Sequence, residues 1–205
     1  MKTKVLGLIG IAVMALSAFV WKSSDQGLKV GDNYPMGKVK MTNIDGKGLS
    51  LDELKKENGL LVVFSCNTCP FVLAWEDRYN ELYDMANQQK IGMVLVNSNE
   101  AKRGGDDSLD EMKAHAKQQG YKMPYVVDKN HQLADAFGAS STPHVFLFNK
   151  MGQLAYMGAI DDSKDKSGVK QTYLKTALAE LGAGQRACRN SQTKAVGCSI
   201  KRVGK

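Results

Sequence analysis

Cys66 and Cys69 stand in the stretch Ser65-Cys66-Asn67-Thr68-Cys69-Pro70, two thiols one helical turn apart. Cysteines at that spacing can close a small disulfide ring and carry out thiol–disulfide exchange. The first sulfur attacks a disulfide and the second resolves the mixed disulfide that forms. The apolar run Leu60-Leu61-Val62-Val63-Phe64 leads into the pair, as a strand buried on both faces would. Behind it Val72, Trp75, Tyr79, Leu82 and Ala86 recur at helical spacing. This order predicts Cys66 at the N-terminal end of a helix, where unpaired N–H groups and the helix dipole favour a thiolate. Helix-N-terminal thiols of Cys-x-x-Cys motifs can fall to roughly pKa 3.5–7.5 from a free value near 8.5. Pro70 suits a first helical turn, where a missing N–H costs little.

A zinc site would need a second pair of ligands at short spacing. Nine residues separate Cys188 from Cys198, and His115, His131 and His144 form no spaced set. A purely structural disulfide more often links distant segments. The redox-active pair is therefore the preferred reading, with a Cys66–Cys69 disulfide in the oxidised state and no metal. Four cysteines allow three connectivities, and the first expectation for the others is a Cys188–Cys198 bond that ties the C-terminal tail into a loop. The alternative is that Cys198 folds back over the helix start as a resolving thiol. Six basic side chains would then approach Cys66 and lower its pKa further.

Those six are Arg186, Arg189, Lys194, Lys201, Arg202 and Lys205, and residues 183–205 contain no acid. Residues 1–21 hold Lys2 and Lys4 and no acid. The net charge of +7 thus belongs to the two ends, because residues 22–182 carry 20 basic and 21 acidic side chains. A nucleic-acid surface is not indicated. Lys2 and Lys4 followed by the uncharged stretch Val5–Trp21, with Ala15-Leu16-Ser17 near its end, read as an export signal or an N-terminal anchor. The expected location is the periplasm, with membrane contact only through an uncleaved N-terminus. Export implies a compartment that permits disulfides.

Around the motif, Ile91–Val96 and Tyr125–Val127 read as further strands, and Ser108-Leu109-Asp110-Glu111 caps a helix that ends near Gly120. Gln132–Phe137 is a short helix closed by Gly138. His144–Phe148 and Gln153–Ile160 form a hairpin, and Val169–Leu181 is a last amphipathic helix. The alternation predicts an α/β domain over 22–184, a central mixed β-sheet flanked by helices on both faces, followed by a basic tail at 185–205.

Phe64-Ser65-Cys66-Asn67-Thr68-Cys69-Pro70-Phe71-Val72 together with Thr142-Pro143-His144-Val145-Phe146-Leu147-Phe148 resembles the thioredoxin-like superfamily. The resemblance is to its peroxiredoxin-like branch, the alkyl-hydroperoxide-reductase/thiol-specific-antioxidant (redoxin) group. Tyr156–Asp162 and Gly197–Lys201 are similar to downstream motifs of that group, so the resemblance covers about residues 28–201. It implies a thioredoxin-like fold in which Thr142-Pro143 is a cis-proline turn facing the cysteines, with the backbone of Thr142 binding a substrate polypeptide. His144, just past Pro143, is a candidate proton shuttle, although an outward-facing strand residue is the simpler reading.

Three departures matter. Ser65 replaces the Trp that usually precedes the thioredoxin pair. The run Leu60–Val63 lacks the buried acid of thioredoxin. Cys66 occupies the Thr or Ser position of the peroxidatic motif, in which Cys69 would be peroxidatic. The expected activity is an exported thiol–disulfide oxidoreductase with Cys66 as nucleophile, Cys69 as resolving thiol and no organic cofactor. Its expected partners are protein thiols or disulfides, or a thioredoxin-type reductant. One alternative is a thiol peroxidase or antioxidant protein acting on hydroperoxide through Cys69 or Cys66, with Cys198 as resolver. The other is a copper-handling protein that uses the reduced pair and His144.

Overall fold

Leu60 to Phe64 are apolar without interruption, so a strand made from them satisfies both of its faces only between two helical layers. In the computed structural model, which describes residues 27–204, this strand is the centre of the molecule. It is β3 (Gly59–Ser65), buried along its length. Before it come β1 (Met41–Asn43) and β2 (Gly48–Leu49). After it come β4 (Ile91–Asn97), β5 (Tyr125–Val127), β6 (Ser141–Thr142), β7 (His144–Asn149), β8 (Leu154–Gly158) and β9 (Cys198–Ser199). Seven of these form one sheet in the order β2-β1-β5-β4-β3-β7-β8, and β6 pairs with β9 separately. Strands β3, β4 and β5 run parallel; β7 is antiparallel to β3, and β1 to β5. The sheet is mixed, as the order of elements predicts.

Side-chain alternation along β3 divides the core in two. Leu61 and Val63 face Tyr79 and Leu82 of α3 (Tyr79–Gln88) and Leu174 and Leu178 of α6 (Tyr173–Gly182). Leu60, Val62 and Phe64 face Leu51 of α1 (Leu51–Leu54) and Leu133 and Phe137 of α5 (Gln132–Phe137). Helix α4 (Leu109–Gln119) starts where expected: the Ser108 hydroxyl accepts from the Glu111 N–H at 3.3 Å, and Gly120 closes it at φ 62°. Helix α6 starts at Tyr173, later than the pattern from Val169 suggests. Residues 1–21, read as the export segment, lie outside the described residues. Among the described residues no helix is long and apolar enough to cross a membrane.

The helical spacing after the cysteines is interrupted. Helix α2 covers only Pro70–Trp75, and a 3₁₀ turn at Glu76–Arg78 separates it from α3. Buried polar chemistry accounts for the break. Arg78 is 2% exposed and its Nε lies 3.3 Å from Asp161 Oδ2, while Trp75 Nε1 donates to Asp161 Oδ1 at 2.6 Å. Glu76, also buried, is held by His115 Nε2 and the Tyr121 hydroxyl, each at 2.7 Å. The tight turn sends neighbouring charges to different partners. Removing one partner of a buried ion pair leaves the other uncompensated, at a cost of about 3–5 kcal/mol. Asp161→Ala should lose about that much in urea unfolding, and a loss below about 1 kcal/mol would contradict this account of the turn.

Candidate functional site

Parallel strands β3, β4 and β5 end at the same edge of the sheet, and Ser65 lies beside Asn97 there. Antiparallel β7 begins at that edge, with His144 opposite Phe64. The loop after β3 and the turn before β7 must therefore meet, and the meeting point holds the cysteines. The Thr142–Pro143 bond is cis. The Thr142 hydroxyl is 3.3 Å from Cys66 Sγ, and its carbonyl oxygen is 3.3 Å from Cys69 Sγ. Cys66 and Cys69 cluster with Val72, Phe71 and Cys198.

The disulfide pairing differs from the sequence expectation on both counts. Cys69 is bonded to Cys198 with the Cα atoms 6.1 Å apart, so neither Cys66–Cys69 nor Cys188–Cys198 is formed, and Cys66 and Cys188 are free and buried. The course of the tail explains this. After α6, Cys188 packs in the core beside Leu178 and Leu181, its N–H donating to Ala155 O at 3.4 Å. The tail then pairs with the edge of the sheet through Met157 and Ser191 (3.0 Å) and Thr193 and Met157 (3.0 Å). Beyond that crossing it turns to the site as β9, with Cys198 opposite Thr142. The two tail cysteines are thus fixed in different clusters. Burial, with the nearby Glu180 carboxylate, pushes the Cys188 thiol up to about 12, which makes it an inert packing group.

Cys66 also departs from expectation. It lies in the loop after β3, and the residue that caps α2 is Cys69, with Pro70 opening the helix. Burial pushes the Cys66 thiol above its ordinary pKa. The Thr142 hydroxyl opposes this, the Asp107 carboxylate adds to the rise, and the N–H groups of Cys69 and Thr68 oppose it again. The tail charges do not reverse that direction. Arg189 pairs with Glu180 and Arg202 with Asp135, each at 2.6 Å.

Asp107 is a site residue that sequence reasoning missed. It is fully buried and accepts from Asn67 N–H (2.9 Å), Asn97 Nδ2 (2.7 Å) and Asn99 Nδ2 (2.9 Å). Tyr125 closes the network, its hydroxyl donating to Asn67 Oδ1 at 2.9 Å. The buried acid absent from Leu60–Val63 thus arrives from the loop before α4. The only hint in the sequence is the run Asn97-Ser98-Asn99 at the end of an apolar strand. Ser65, in the place of the expected Trp, instead meets the Tyr79 hydroxyl at 3.1 Å.

His144 does not join the site. Its ring packs on Phe146 at 4.5 Å between centroids and lines a cavity with Phe137, Gly138 and Lys194, on the α5 side of the sheet. Burial lowers its pKa to about 4. This leaves the copper reading without its third ligand. Among the described residues no three His, Cys, Asp or Glu side chains are grouped to hold a metal ion.

The chain belongs to the AhpC/TSA family, whose model matches residues 30–157. A solved structure of an uncharacterized conserved protein from Geobacillus kaustophilus is 30% identical, with TM-score 0.79, covering 86% of this chain and 94% of that one. A thioredoxin-like protein in its oxidised form shares the fold alone, at 22% identity and TM-score 0.58 over 76% of this chain and 97% of that one. The thiol-disulfide oxidoreductase ResA of Halalkalibacterium halodurans is 25% identical over 114 residues, which span 56% of this chain and 60% of that protein. The mixed sheet with its flanking helices is a thioredoxin-like fold, and the family match places the chain in its peroxiredoxin-like branch.

The direction of the Cys66 shift has a direct check. A free cysteine titrates near pKa 8.5. The ¹³Cβ resonance of Cys66 in the oxidised protein should titrate above that value. A midpoint below about 7 would mean that the helix end and the tail charges govern this thiol after all.

Proposed function

We propose that the chain is an exported thiol–disulfide oxidoreductase that exchanges disulfides with protein thiols, or draws on a thioredoxin-type reductant. The observation that carries this reading is the convergence of Cys66, Cys69 and Cys198 on one residue, Thr142, at a buried edge of the sheet. Relatives of known activity class support it: besides ResA, the thiol-disulfide oxidoreductase YkuV of Bacillus subtilis is 27% identical over 113 residues, 53% of this chain and 71% of that protein. Cys66 is the nucleophile, because it is the cluster cysteine that retains a thiol when Cys69 is oxidised. Cys69 is the resolving sulfur, and Thr142-Pro143 is the turn that receives the substrate. Export rests on the charge and apolarity of residues 1–21.

Fully reduced protein should reduce a polypeptide disulfide such as that of insulin. Cys66→Ser should lower the rate at least a hundredfold, and Cys188→Ser should leave it within about twofold. Unchanged turnover in Cys66→Ser would refute the assignment.

A second reading draws on the Cys69–Cys198 bond itself. A hydroperoxide reduced by Cys69, with Cys198 as resolver, gives an alcohol, water and this same disulfide. Hydroperoxide consumption that survives Cys66→Ser but not Cys69→Ser would establish that reaction in place of exchange.

A further inference from the structure

The strand carrying Cys198 lies in a seat built for it. Thr142 is opposite Cys198 and Ser141 opposite Ser199. Gly197 passes so close to the turn that a Cβ on it would meet the Thr142 carbonyl oxygen at 2.1 Å. Ile200 is buried and donates its N–H to Ser140 O at 3.1 Å. The Lys201 N–H bonds Asn99 Oδ1 at 2.9 Å, and Lys201 O accepts from Ala101 N–H at 2.9 Å. Beneath this strand Cys66 is 2% exposed. A disulfide on another polypeptide cannot reach Cys66 while segment 197–201 stays in place. Yet Cys66 is already beside a disulfide, that of its own chain.

We propose that Cys198 is the third redox residue of an internal relay, in which Cys66 attacks Cys69 of the Cys69–Cys198 bond and releases the tail. This rests on the thiol–disulfide reading above. The Cys66 thiol gives up its proton and its sulfur bonds to Cys69 Sγ. The Cys69–Cys198 bond breaks, and Cys198 departs as a thiolate that takes up a proton. One disulfide and one thiol stand on each side of the exchange, so no outside oxidant or reductant is consumed.

The geometry favours attack on Cys69. Cys66 and Cys69 belong to one buried cluster at the start of α2, and Thr142 contacts both sulfurs, its hydroxyl at Cys66 and its carbonyl oxygen at Cys69. Exchange needs the thiolate, and burial disfavours it at Cys66, so release of the tail is slow near neutral pH and faster as the pH rises. The relay turns it into an open arrangement. There the Cys66–Cys69 disulfide faces an external dithiol, and the edge at Ser141–Thr142 is free for an extended polypeptide. The tail is thus an internal substrate that guards the nucleophile.

The test follows Cys198 in the oxidised full-length protein incubated with N-ethylmaleimide and no added thiol. Peptides are mapped by mass spectrometry without reduction. Label should accumulate on Cys198 together with a Cys66–Cys69 linkage, faster at pH 9 than at pH 7. In Cys66→Ser the labelling of Cys198 should slow at least tenfold. Gly197→Val, which unseats the strand but keeps every thiol, should speed it several-fold in the otherwise wild-type protein. Cys198 left unlabelled over this pH range, with Cys69–Cys198 intact, would overturn the relay. So would labelling at the same rate in Cys66→Ser. The same samples, fully reduced, are assayed on insulin. Normal reduction with Cys198 never labelled removes the relay alone, whereas loss of insulin reduction removes the oxidoreductase reading itself.

Discussion

The antiparallel pairing of β7 with the central strand β3 is the constraint on which the rest of the molecule depends. Six consecutive residue pairs, from Gly59 with Asn149 to Phe64 with His144, fix the register of the two strands. A one-residue slip would turn Leu60, Val62 and Phe64 to the opposite helical layer. The same register places the loop after β3 against the turn before β7. Cys66 and Cys69 meet Thr142 because of it, and the tail reaches the cysteines by pairing with that turn.

Two physical effects compete at Cys66, and their magnitudes decide between them. A helix end contributes about 0.3–1 kcal/mol, less than one pKa unit, and acts only within the first turn. Full burial of an ionisable group moves its pKa by up to 3–5 units. Cys66 lies outside α2, beneath the tail, with the fully buried Asp107 carboxylate nearby. Burial therefore governs it. The resulting site is poised by coverage, with a nucleophile that burial keeps protonated near neutral pH and whose nearest disulfide is the one that holds the cover in place. The basic tail, which accounts for much of the net charge, acts here through its backbone, Gly197, Cys198 and Ile200, while Arg189 and Arg202 are taken up by Glu180 and Asp135.

What could be read from the residues follows the range of the interactions involved. The apolar runs of β3 and β4, the Ser108 cap and the hairpin of β7 and β8 are local patterns, and the structure has them where the pattern lies. Cys66-x-x-Cys69 and Thr142-Pro143 were legible as motifs. The partner of Cys69 was legible only as the alternative in which Cys198 folds back over the helix start, because the choice is decided by a two-residue strand whose position depends on Gly197 fitting against a backbone carbonyl far away in sequence. Asp107 escaped for the same reason: its partner Asn67 comes from the loop after β3, and Asn97 and Asn99 from the end of β4 and the loop behind it. The break at Glu76–Arg78 answers to Asp161 and His115, which no helical periodicity can see.

Cys198 belongs to the site of Cys66 and Cys69 and not to Cys188. Non-reducing peptide mapping of the oxidised protein, quenched in acid as it is isolated, tests this most directly. Cys69 should be found linked to Cys198, or Cys66 to Cys69 with Cys198 free, and in both cases Cys188 should be unbonded. A Cys188–Cys198 linkage would contradict this placement of Cys198.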